Sequence, residues 1–121
     1  MKKILLGLFL IVSSFGSAQS YKFGALGTAA FTSKVIGTIN INEKKVLIET
    51  EYDGKKKSLE YDLIRKTNGL IYFTDGVMTH YFSFVDQKGT KKGFDYDTWV
   101  VFNFDKSQGN EQIIYYCKLQ E

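Results

Sequence analysis

Three pairs of carboxylates stand two residues apart: Glu49/Glu51, Glu60/Asp62 and Asp95/Asp97. In an extended strand that spacing puts both side chains on one face, about 6.5–7 Å apart. Two carboxylates so placed can divide acid and base roles if their surroundings separate their pKa values. The same pattern also describes a wet strand face, which is the reading for the first two pairs. Asp95/Asp97 differ because Trp99, the sole Trp, and Val101 continue their row. An aromatic neighbour can help shape a sugar or cation site, although the calcium-loop pattern is absent.

The other chemical candidates are fewer. His80 is the only His and Cys117 the only Cys, so no internal disulfide forms and a four-ligand zinc site lacks ligands. His80 lies in line with Met78, Phe82 and Phe84, as a core or rim histidine would. Cys117 falls on an apolar row, where a thiol acts as a small apolar filler. No nucleophile elbow, phosphate-cradling loop or zinc-protease helix is present. The chain therefore reads as a non-enzyme without cofactor or metal.

Strands must position these residues. Apolar spacing after residue 30 is mostly two. Val35, Gly37, Ile39 and Ile41 share one face, then Val46, Ile48, Thr50 and Tyr52, then Leu59, Tyr61 and Leu63. Asp-Gly, Asn-Gly and similar pairs fall between the runs and suit hairpin turns that need positive φ. The pattern predicts strands at 31–42, 45–53, 57–66, 70–75, 78–87, 93–106 and 111–120. Residues 21–30 admit an edge strand, a short helix or a loose arm. The fold expected is all-β: a small antiparallel meander of seven or eight strands forming a barrel or sandwich.

Register sharpens this. With Asp53-Gly54 central, Ile48 faces Leu59, Val46 faces Tyr61 and Glu51 meets Lys56; a one-residue slip breaks both faces. With Gly109-Asn110 central, Phe104 faces Tyr115, Phe102 faces Cys117 and Val100 faces Leu119. Phe94, Tyr96, Phe102, Phe104 and Tyr115 then read as core. Trp99, Val101, Ile114 and Tyr116 meet on the opposite face of that last hairpin. Either the monomer or a homodimer covers them as a second apolar layer, or they form a partner-binding patch together with Asp95 and Asp97.

The N-terminus sets the compartment. "MKK", the apolar run "ILLGLFLIV" and the small-residue stretch "SSFGSA" have the layout of a secretory signal peptide. The run is too short to span a membrane, which takes about 20 apolar residues. Cleavage after Ala18 removes residues 1–18 and leaves 19–121 as one all-β domain; without a Cys at the cut, a lipid anchor is not expected. Export through the inner membrane to the periplasm or beyond follows. Removing Lys2 and Lys3 from 16 basic residues leaves 14 against 13 acidic. Clustered positive charge for nucleic acid is missing, and the Lys groups at 55–57 and 91–92 read as turn residues that aid solubility.

These readings point to a non-enzymatic domain that binds a protein or glycan through an aromatic sheet face. The alternative is a calycin-like barrel carrying a small hydrophobic ligand, although the Gly-x-Trp motif of lipocalins is missing near the mature N-terminus.

Overall fold

The computed structural model describes residues 18–28, 30–104 and 111–120, so the leader read over residues 1–18 lies almost wholly outside the described residues. Nine antiparallel strands follow in chain order: β1 (Gln19–Gly27), β2 (Thr32–Ser33), β3 (Ile36–Ile41), β4 (Lys45–Tyr52), β5 (Lys55–Thr67), β6 (Leu70–Thr74), β7 (Thr79–Lys91), β8 (Phe94–Asn103) and β9 (Gln112–Gln120). From β3 to β9 each strand pairs with the next, β1 pairs with both β2 and β3, and a further pairing of β1 with β9 closes the ring. Since β9 occupies one edge of β1, both β2 and β3 pair with the other. Nine strands thus fill eight positions of an all-β meander. Residues 21–30 are mostly β1, a stave inside the ring rather than an edge strand, helix or arm. The strand expected over 31–42 is interrupted at residues 34–35, between β2 and β3.

The Asp53-Gly54 turn forms as its register requires. Asp53 and Gly54 both have positive φ, 55° and 77°, and Val46↔Tyr61, Ile48↔Leu59 and Glu51↔Lys56 are direct partners. Asn68-Gly69 and Lys92-Gly93 make turns with the same signs of φ. The Lys groups at 55–57 and 91–92 are mostly strand residues rather than turn residues. Lys55–Lys57 begin β5 and Lys91 ends β7, so only Lys92 belongs to a turn.

The register expected between β8 and β9 does not form. Val100 faces Tyr115, Phe102 faces Ile113 and Thr98 faces Cys117, four residues from the expected pairing; the Gly109-Asn110 centre lies outside the described residues. An even slip keeps every side chain on its original face. The apolar rows therefore stay coherent although each partner changed.

The lumen is filled by rings. Phe73 lies 4.7 Å from Phe82 and 5.3 Å from Phe102 between centroids, and Tyr61 lies 4.9 Å from Phe73. Phe23 packs edge-on to Tyr115 at 4.9 Å. Ile39, Ile41, Val46, Ile48, Val100 and Cys117 complete a fully buried core. Gly37, the direct partner of Phe23, leaves the space that the Phe23 ring fills. His80 is buried at the rim beside Phe102 and Phe104, with Nε2 3.7 Å from Asp75 Oδ2.

Candidate functional site

The last two strands build the outer face. Trp99 pairs with Tyr116 and Val101 with Ile114. Val85 lies across from Trp99, and Ala25 across from Tyr116. None of these residues belongs to the luminal core. The sequence-predicted four are thus side by side on the exterior, in two adjacent rungs.

Much of this layer is covered by the chain itself. Beyond Thr98, β8 leaves β9; beyond Phe82, β7 leaves β6. The freed end of the β7–β8 hairpin lies over β9 and β1. Phe94 rests on Gly24, where any side chain would meet its ring. Tyr96 packs on Tyr116 with centroids 5.1 Å apart, and Lys91 Nζ sits 5.3 Å from the Tyr116 ring centroid. Tyr116 in turn lies over Gly27, and Tyr96 over Gly89. Glycines let these rings lie flat on the sheet. Tyr116 is left 6% exposed and Val101 7%, whereas Trp99 and Ile114 stay half-buried. Phe94 and Tyr96, expected in the core, belong instead to this outer layer. A bulge between Asp86 and Gly89 re-aims the hairpin end.

The two aspartates are engaged separately. Asp95 Oδ1 accepts a hydrogen bond from its cross-strand partner Thr90 Oγ1 at 2.7 Å. Asp97 Oδ1 accepts from Thr98 Oγ1 at 2.8 Å and from the Leu119 backbone N–H at 3.1 Å. Asp97 therefore satisfies a β9 amide at the point where β8 departs. Among the other carboxylates, Glu60 and Asp62 both contact Lys45 Nζ, at 3.2 and 2.7 Å, on an open surface. Asp62 heads the contacts that raise the Lys45 pKa. Burial pushes the Cys117 thiol well above its usual value, so it is protonated at neutral pH. Among the described residues, no group of three or more His, Cys, Asp or Glu could hold a metal ion.

Sequence reasoning missed the neighbours of this patch. One rung runs Arg65–Tyr72–Tyr81–Asn103–Gln112, each residue directly opposite the next. The Arg65 guanidinium stands 4.2 Å over the Tyr72 ring, and Tyr72 lies 5.4 Å from Tyr81. Asn103 is buried; its Nδ2 donates to Ser83 Oγ at 3.2 Å and to the Val101 carbonyl at 3.1 Å, and its Oδ1 accepts from Gln112 Nε2 at 2.6 Å. The signal available in sequence was that β6 and β7 are apolar on both faces. The rung itself depends on a bulge between Leu63 and Arg65.

Comparison with known proteins finds no matching family model, no matching curated protein and no matching solved structure.

Proposed function

We propose that this chain is an exported, non-enzymatic binding domain that holds a protein or glycan partner on the outer face of β6–β9. Trp99 carries the reading. It stands half-exposed at the centre of an aromatic exterior, next to residues its own hairpin already covers. Its indole N–H is buried and has no acceptor among the described residues. Trp and Tyr are the residues that dominate binding energy when a partner completes their burial. Tyr81 and Tyr72 extend the face on one side and Ile114 on the other. Tyr116, Asp95 and Asp97 serve the face by holding the hairpin end in place.

The test is retention of a partner by immobilised protein from envelope proteins and from cell-surface polysaccharide. Wild type retains a component that Trp99→Ala and Tyr81→Ala lose, while both variants keep the wild-type melting temperature within a few degrees. Equal retention by wild type and variants removes the reading, and a large drop in melting temperature returns Trp99 to a structural role.

A further inference from the structure

The lumen is packed through its middle, but its apolar lining surfaces again at one end of the barrel. One side of that end is framed by the β1–β2 turn, the β4–β5 hairpin and the start of β9. Between them lies a cleft of about 340 Å³. Its floor is Leu26, Val35 and Ile113, which all pack against the core. Phe31 and Tyr52 form its walls. Both are unusually open for aromatic residues, at 67% and 60% exposure.

Phe31 is held in that position. In the β1–β2 turn its carbonyl accepts the Thr28 N–H at 2.9 Å, and its own N–H donates to Thr28 Oγ1 at 3.4 Å. The Ala30 N–H donates to the same hydroxyl at 3.2 Å. The turn thus presents the ring beside the cleft instead of folding it onto the core. Tyr52 shares the inward row of Val46 and Ile48, so its ring projects from the mouth at the last position of β4.

The chemistry of the lining defines the ligand. Among the described residues, no charged one lines the cleft. The hydroxyls of Ser33 and Tyr52 are its free polar groups, and neither is engaged by another described residue. A mostly apolar cavity with a few polar groups is the usual form of a small-molecule site, and this volume lies at the lower end of that range. We infer that this mouth binds a small uncharged amphiphile, with its apolar part between Phe31 and Tyr52 and its polar head at Ser33. The site is separate from the Trp99 face and does not rest on that reading. It differs from the expected carrier barrel in that the ligand sits at the rim, not in the lumen.

The test uses the neutral dye N-phenyl-1-naphthylamine, followed by fluorescence on the full exported chain. Wild type takes it up saturably, one dye per chain. Phe31→Ala, at a site too exposed to threaten folding, weakens binding several-fold. Ser33→Phe, which fills the cleft from β2, weakens it by about tenfold or more. Trp99→Ala leaves uptake unchanged, which separates this site from the outer face. Absence of saturable uptake by wild type overturns the inference. So does equal affinity in Phe31→Ala, or a loss that follows Trp99→Ala instead.

Discussion

Asp75 shows how one side chain can organise a turn. Its Oδ1 accepts the backbone N–H groups of Val77 and Met78 at 2.8 and 2.9 Å, while Thr74 Oγ1 donates to the Met78 carbonyl at 2.7 Å. The Met78 and Val77 amides hold the Asp75 carboxyl below its ordinary pKa, with a smaller pull from His80. A depressed folded-state pKa stabilises the fold fully above the ordinary Asp value of about 3.9, and that contribution fades as pH falls through the lower folded value. Asp75→Asn keeps an oxygen acceptor for both amides but cannot titrate. Urea midpoints across the acid range should therefore show wild type losing its advantage over Asp75→Asn as pH drops. An unchanged difference would place the effect elsewhere. Cys117 offers a second check at this scale. A fully buried thiol with a raised pKa is a poor nucleophile. Iodoacetamide should leave native protein unmodified at neutral pH and label it only after denaturation; labelling at the rate of a free thiol would mean that β8 and β9 open readily.

The β7–β8 hairpin is the element on which the outer face depends, and Gly24 is its seat. A Cβ at Gly24 would collide with the Phe94 ring at its root, not at a flexible tip. Gly24→Val should therefore lift the hairpin end, costing about 1–3 kcal/mol as an overpacked site does. Limited trypsin digestion then cuts faster at Lys91 and Lys92, and Trp99 emission shifts to the red. Unchanged cleavage and emission would show that Phe94 can vacate the position without moving its strand. This element also marks how far the sequence could be read. The Asp53-Gly54 hairpin was legible because a two-residue turn fixes register, and a one-residue slip would have turned Ile48 toward Glu60. The β8–β9 pairing was not, because the connection is longer and period-two patterning cannot detect an even slip. The bulges at Gly24, at Ile64 and before Gly89 also escaped, since each switches faces without breaking the alternation on either side. Trp99, Val101, Ile114 and Tyr116 were grouped correctly from sequence, whereas Phe94 and Tyr96 were assigned to the wrong layer because β8 leaves β9 beyond Thr98 and carries them over the outer face.

At the scale of the whole molecule, closure between β1 and β9 removes most sheet edges but leaves two long ones among the described residues. One edge of β5 has no strand beside Lys55–Tyr61, because β6 joins β5 only from Asp62 onward. One edge of β7 has none beyond Phe82. Exposed edges recruit other chains, and proteins blunt them with lysines, bulges and inward-pointing charge. Both edges carry such devices. Lys55 and Lys57 continue the inward row of Leu59 and Tyr61 and put charge where an added strand would bury it. The β7 edge has the bulge before Gly89 together with Lys88 and Lys91. This assigns the lysines a task that a solubility reading of turns would miss. It also predicts an asymmetry among charge deletions. Lys55→Val with Lys57→Val should raise light scattering and thioflavin-T fluorescence on incubation near neutral pH, with little change in melting temperature. Lys22→Val removes charge from a strand paired on both sides, with Thr38 and with Lys118, and should stay monodisperse. If Lys22→Val aggregates as readily as the double variant, net charge rather than edge protection keeps this barrel from aggregating.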